Sequence, residues 1–150
     1  YPEKKFLRIK DDRIKKYTGA YMDLKRMGAK IITKKECKLN PHKISEIFKL
    51  ISTPYVYVSI DMDIGANNAL EGVRFRNWKG LNEPQIHKLG HAVAEIFSDS
   101  IHLAGMDICE IDPRRAGVDY PSGKDRTYVI AAEIIKTIAF NMDKDTGPST

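Results

Sequence analysis

Two short apolar runs, Tyr55–Ile60 (YVYVSI) and Ile101–Ile108 (IHLAGMDI), limit the folds open to this chain. Each has the length of a strand. The residues between them include a helical pattern that opens at Asn82, a good N-cap with Glu83 and Pro84 in the first turn, and continues through Ile86, Leu89, Val93, Ile96 and Phe97. A strand, a helix and a second strand make a βαβ unit, whose strands run parallel. The second run is nearly continuous apolar, which predicts a strand buried on both faces.

The flanking sequence continues the alternation. Arg13–Met27 carries Ile14, Tyr17, Tyr21, Leu24 and Met27 at helical spacing, and Gly28 stands where a helix-ending glycine belongs. Lys5–Ile9 and Ala29–Thr33 read as short strands. Pro41 opens a helix with Ile44, Ile47, Phe48 and Ile51 on one face, and a last helix covers about Arg126–Phe140. A long loop runs from Asp63 to Leu81. The expected fold is α/β, three layers α/β/α around a mostly parallel sheet, as one domain over 1–140 with a flexible tail over 141–150.

Composition narrows the function classes. Hydrophobic residues are 42% and charged residues 30%, which fits a globular domain. No apolar run reaches the roughly 20 residues of a membrane span, so no membrane partner is expected. Cys37 and Cys109 lie far apart without metal-ligand spacing, which favours a reducing cytoplasmic setting. Residues 1–50 carry a net charge of +9 and residues 51–150 a net of −4. An overall basic surface would suggest nucleic acid, and a basic third followed by an acidic remainder does not.

In parallel sheets chemistry gathers at the carboxyl ends of strands. There the first run delivers Asp61 and Asp63, and the second delivers Glu110. Three converging carboxylates repel one another and need a cation, a proton or solvent. Paired carboxylates bind hard divalent ions. An Asp-x-Asp pair alone is unspecific. It occurs in dehalogenase-type phosphatases and sugar-nucleotide transferases, a lone strand-end Asp occurs in receiver domains, and strand-end aspartates also cap loops. A phosphatase would carry the pair near its first strand. A receiver would need a Ser or Thr ending the next strand, where this chain has Cys109-Glu110.

The wider pattern is more informative. Ser59, Asp61 and Asp63 form Ser-x-Asp-x-Asp; Gly72, Gly80, Leu81 and Asn82 follow; Gly105, Asp107, Glu110 and Pro113 form Gly-x-Asp-x-x-Glu-x-x-Pro; and Thr127 opens an alanine-containing helix. With these residues, Tyr55–Phe140 resembles the C-terminal half of the ureohydrolases: arginase, agmatinase and formiminoglutamase. The resemblance implies two manganese ions, with Asp61 as the bridging, catalytic carboxylate and Asp63 as a ligand of one ion. It implies that Glu110 holds a guanidinium and that a guanidino or formimino C–N bond is hydrolysed to urea or formamide plus an amine. Homo-oligomers are usual in the family.

Two departures from the family pattern stand out. The upstream histidine and Asp-x-His-x-Asp ligands have no counterpart, and the first residue is Tyr1. The expectation is a C-terminal portion of a longer protein, inactive alone, whose upstream half supplies the other ligands. The loop that usually reads Asp-Pro and then Pro-Gly here reads GANNALEG, with Asn67, Asn68 and Glu71 in those places. Downstream, Arg74 and Arg76 are candidates to pair with a substrate carboxylate. The interleaved basic and aromatic residues 73–79 are too short to be a nucleic-acid footprint. Two readings compete with the enzyme: a non-catalytic ureohydrolase-like binding or assembly domain, and a receiver-like domain phosphorylated at Asp61. The histidines carry less: His87 and His91 are expected on a solvated helix face, His102 in the core, and His42 beside a helix start.

Overall fold

Asp11 has extended backbone and accepts a hydrogen bond from the Arg13 N–H at 2.9 Å, which starts helix α1 (Asp12–Arg26). The helix ends as a Schellman turn. Ala29 N–H donates to the Leu24 carbonyl, Gly28 N–H donates to the Lys25 carbonyl, and Gly28 has a φ of 95°. The computed structural model describes residues 8–39, 43–98 and 100–143. It divides into two compact units at Ile47/Phe48.

In the first unit the expected strand Ala29–Thr33 is absent. Thr33 is instead the N-cap of a short helix α2 (Lys34–Leu39). Its hydroxyl accepts from the Glu36 N–H at 3.2 Å, while Thr33 N–H donates to Glu36 Oε2 at 2.8 Å. This reciprocal Thr-x-x-Glu box satisfies helix-end donors that a β-branched run could not satisfy without a strand partner. Lys43 Nζ lies 2.7 Å from Glu36 Oε1, and these bonds hold the Glu36 carboxyl down to about 2. The next helix, α3, is Lys43–Phe48, so Ile51 lies beyond it. Pro41, His42 and most of Lys5–Ile9 fall outside the described residues.

The second unit is built on the expected βαβ unit. Strand β1 (Tyr55–Asp61) pairs in parallel with β2 (His102–Cys109), and helix α4 (Glu83–Ala94) connects them. Along β1 burial alternates: Val56, Val58 and Ile60 face inward, while Tyr55, Tyr57, Ser59 and Asp61 are exposed. β2 is not buried on both faces as expected, since His102, Ala104 and Cys109 are exposed. The register slips between Val56 and Tyr57, leaving Ala104 as one extra residue in β2. Leu103, Met106 and Ile108 thereby share the core face. Tyr57 lies over Gly105, where a Cβ would sit 3.1 Å from its ring.

Helix α4 begins with a full capping box. Asn82 Oδ1 accepts from Gln85 N–H at 3.0 Å, and Gln85 Oε1 accepts from Asn82 N–H at 3.1 Å. It ends at Ala94, short of the expected Ile96 and Phe97, which are buried in the turn that follows. A two-residue hairpin, β3 (Asp119–Tyr120) with β4 (Gly123–Lys124), leads into α5 (Thr127–Asp143). The core is formed by Val58, Met62, Leu70, Ile86, Ala94, Ile130, Ile134 and Ile138, so α4 and α5 cover the apolar face of the β1–β2 pair. Among the described residues no helix is long and apolar enough to cross a membrane.

Loop 62–81 folds back on itself. Ala66 N–H donates to the Leu81 carbonyl at 2.7 Å, and Leu81 N–H to the Ile64 carbonyl at 2.8 Å. Gly80 is required there, because a Cβ would fall 2.2 Å from the Gly65 carbonyl carbon. In urea denaturation, Asn82→Ala is expected to lower stability by about 1 kcal/mol. Gly80→Ala should cost more, about 2–3 kcal/mol, because its obstacle is backbone.

Candidate functional site

β1 ends in Asp61 and runs into one 3-10 turn, Met62–Ile64. Asp61 Oδ1 accepts from the Asp63 N–H at 3.1 Å, so Asp61 caps the turn that presents Asp63. β2 ends at Cys109, paired with Asp61, so Glu110 follows at the same end of the sheet. The three sequence-nominated carboxylates sense one another. Partial burial pushes the Asp63 carboxyl above its ordinary value, and the negative charges of Asp61 and Glu110 push it further. Glu110 Oε2 is buried and has no hydrogen-bond partner. Glu110 also has a φ of 62°, a left-handed conformation that costs a side-chain-bearing residue about 1–2 kcal/mol.

The two strand motifs are joined directly. Asp107 accepts from Tyr57 Oη at 2.6 Å, Ser59 Oγ at 2.8 Å and Cys109 Sγ at 3.0 Å. These donors lower the Asp107 carboxyl, while the Cys109 thiol is raised by the same carboxylate. Cys109 is thus exposed yet held as a thiol, an environment opposite to that of a reactive cysteine.

Asp63 lines an open cavity of about 460 Å³ with Phe75, Arg76, Asn77, Trp78 and Lys79. Asn77 ties this rim to the carboxylates: its Nδ2 donates to the Asp63 carbonyl at 3.3 Å. The two candidate arginines separate here. Arg76 lines the cavity, its guanidinium 5.2 Å from the Tyr120 ring centre. Arg74 stacks on Phe75 at 5.4 Å, and its backbone N–H donates to the Glu110 carbonyl at 3.1 Å.

A profile of the arginase family matches residues 13–140. The chain belongs to the arginase family. Its fold is the arginase-like α/β fold with a parallel sheet. Formimidoylglutamase from Bacillus subtilis superposes with a TM-score of 0.67 at 20% identity, covering 91% of this chain and 39% of that one. Helicobacter pylori arginase does so at 0.64 and 17% identity, covering 79% of this chain and 38% of that one. Proclavaminate amidino hydrolase from Streptomyces clavuligerus gives 0.57 at 20% identity, covering 79% and 36%. At these identities the likeness is one of fold. The chain spans less than two fifths of each of these structures. No curated protein matches it. Family membership sets aside the receiver-like reading of Asp61.

Sequence reasoning passed over a residue central to this arginase-family site. Asp125, 8% exposed, receives five hydrogen bonds. Its Oδ1 accepts from Glu71 N–H at 2.9 Å, Gly72 N–H at 2.8 Å and Thr127 Oγ1 at 2.8 Å. Its Oδ2 accepts from Gly117 N–H at 2.9 Å and Thr127 N–H at 3.0 Å. Burial raises its carboxyl and these donors outweigh it, so the net shift is downward. Gly72, one of the motif glycines, has no room for a side chain: a Cβ would lie 2.5 Å from Ala116 Cα and 2.6 Å from Asp125 Oδ2. The signal in the sequence was Asp125-x-Thr127 at the head of the last helix, an N-cap pattern.

The histidines also differ from expectation. His102 is exposed, with its ring 5.9 Å from Tyr55. His91 is exposed as expected. His87 lies in the α4–α5 seam, with Nε2 3.6 Å from Glu83 Oε1 and 3.3 Å from Glu133 Oε2. Glu83, His87 and Glu133 bring their ligand atoms within 4.8 Å of one another. Arg126 already binds Glu83, with Nη2 at 2.9 Å and Nε at 3.1 Å, and holds its carboxyl down. The trio therefore joins α4 to α5, with Arg126 paired to the Glu83 carboxylate.

Asp125→Asn must turn an amide N–H₂ toward at least two backbone N–H donors, whichever way it is rotated. It is expected to destabilise the protein at pH 7 by about 3 kcal/mol. Because the folded carboxyl lies below its ordinary 3.8, its contribution is complete above that value and lost as pH falls through the lower folded one. The difference between wild type and Asp125→Asn, read from denaturation midpoints, should therefore shrink in acid.

Proposed function

We propose that the full-length protein is a dimanganese amidinohydrolase that cleaves a guanidino or formimino C–N bond, releasing urea or formamide and an amine. The observation that carries this reading is the meeting of Asp61, Asp63 and Glu110 at one sheet end, with Glu110 Oε2 buried and unpartnered and Asp63 held up by partial burial and its neighbours' charge. A partly buried carboxylate cluster of this kind is short of positive charge. Divalent cations and a cationic substrate head both supply it, and Asp61 and Asp63 offer the hard oxygens that manganese takes.

In this reading Asp61 and Asp63 hold the ions. Asp61 uses one oxygen to cap the turn and would turn the other toward the metal site. When bound, the metal pair supplies a water activated at neutral pH and positive charge to offset the charge that develops in hydrolysis. Glu110 accepts from the guanidinium or formimino N–H groups and orients the carbon to be attacked. Arg76, on the cavity rim, pairs with a carboxylate at the far end of the substrate. The other metal ligands, the remaining pocket walls and a homo-oligomeric state belong to the whole protein, and its place in the cell is the cytoplasm.

The test is urea or formamide release by the full-length protein over a panel of guanidino and formimino acids with Mn²⁺. Chelation should abolish activity, and Mn²⁺ should restore it. Asp63→Ala should lose it at every Mn²⁺ concentration. Arg76→Ala should raise KM for an acidic substrate by roughly 10- to 100-fold, the worth of a charge-assisted hydrogen bond, with kcat little changed. Arg74→Ala should leave KM within about twofold. No release from any substrate of either class would sink the reading.

A further inference from the structure

We propose that Asp125 and Thr127 are positioning residues for Glu110, acting at a distance in sequence through the backbone of residues 71–74. The inference rests on the functional reading above only in assigning Glu110 a substrate to hold.

The argument starts from the backbone of Glu110. Its left-handed conformation is unfavourable for a residue with a Cβ, so its surroundings must hold it there. Residues 72–74 run antiparallel beside 110–112. Arg74 N–H donates to the Glu110 carbonyl at 3.1 Å, Val73 bridges Ile111, and Asp112 N–H donates to the Gly72 carbonyl at 3.0 Å. Glu110 is therefore clamped by a three-residue splint.

The splint is itself anchored. Glu71 and Gly72 N–H both donate to Asp125 Oδ1, and Gly72 N–H also donates to Thr127 Oγ1 at 3.1 Å. On the other side of Glu110, the chain turns through Asp112. The Asp112 carbonyl accepts from Arg115 and Ala116 N–H, each at 2.9 Å, and the chain returns as Gly117 N–H to Asp125 Oδ2. The bonds close a ring from Asp125 to Gly72, across to Asp112, through the turn to Gly117, and back to Asp125. Glu110 is tied to this ring on both sides, by the chain through Ile111 and by the Arg74 N–H. A neutral or shorter residue at 125 cannot receive donors from both sides, so the ring opens at its anchor.

Asp125→Asn risks global destabilisation, so the primary variant is the milder Thr127→Val, with Thr127→Ser as the conservative rescue. In the full-length protein, hydrogen exchange followed by mass spectrometry should show faster exchange in Thr127→Val over residues 71–75 and 110–113, with β1 and α4 unchanged. Thr127→Ser should restore protection. In the kinetic arm, Thr127→Val should raise KM at least fivefold while the Mn²⁺ requirement stays at wild-type concentration. Combined with Glu110→Gln, it should add no further loss. Unchanged exchange over 110–113, or losses that multiply in the double variant, would overturn the proposal. A wild-type protein with no amidinohydrolase activity would overturn the functional reading instead, and the exchange arm would still decide this one.

Discussion

One extra residue in a strand sets the phase of everything at this site. Side chains alternate along a strand, so a one-residue slip exchanges its faces. Without the bulge at Ala104, Leu103 in the core would be followed by Gly105 and Asp107 on the same side, and Asp107 would enter the apolar layer. With it, Met106 and Ile108 join Val58 and Ile60 against α4 and α5, and Asp107 turns outward to Tyr57 and Ser59. The same phase places Asp61 opposite Cys109, which brings Glu110 to the end of β1. The meeting of two acidic motifs nearly fifty residues apart is a consequence of register.

That meeting has an electrostatic cost which the fold does not discharge by pairing. Arg114 and Arg115 pair with Asp112 and Arg126 with Glu83, while Arg76 stands over Tyr120 on the cavity rim. Asp63 carries the cost as a raised carboxyl, and Glu110 carries it as strained backbone and an unmatched buried oxygen. Frustrated groups of this kind mark functional positions more often than structural ones. The helix clamp of Glu83, His87, Glu133 and Arg126 makes a useful contrast. It has comparable carboxylates, but Arg126 pairs with Glu83, and His87 lies against both Glu83 and Glu133.

The parts of this design written as local pattern were legible in the sequence. They include the alternation of Tyr55–Ile60, the Asn82 cap, the Gly28 terminus and the convergence of the carboxylates. What failed was context that periodicity does not carry. Ile101–Ile108 looked doubly buried because a bulge filled with Ala104 and Gly105 interrupts its alternation with small residues. Ala29–Thr33 looked like a strand because Ile31, Ile32 and Thr33 are β-branched, yet Thr33 with Glu36 forms a cap that outweighs the propensity of so short a run. Asp125 went unmarked, since three of its five donors lie on residues 71, 72 and 117 and meet it only once the chain is folded.

The same network bears on the altered loop GANNALEG. Where its relatives' pattern has Asp-Pro and then Pro-Gly, this chain has Asn67, Asn68 and Glu71. Proline stiffens a loop chiefly by removing conformations from the unfolded chain. Hydrogen bonds act on the folded side, and here Glu71 supplies two that proline could not. Its N–H donates to Asp125, and its Oε2 accepts from Ser122 Oγ at 3.2 Å. Asn67 N–H donates to the Asn77 carbonyl at 2.9 Å. The loop has exchanged unfolded-state restriction for folded-state anchoring. Its rigidity now depends on Asp125 remaining ionised and on Asn77 keeping its place on the cavity rim. Changes at those two positions should therefore loosen this loop more than they would loosen one stiffened by proline.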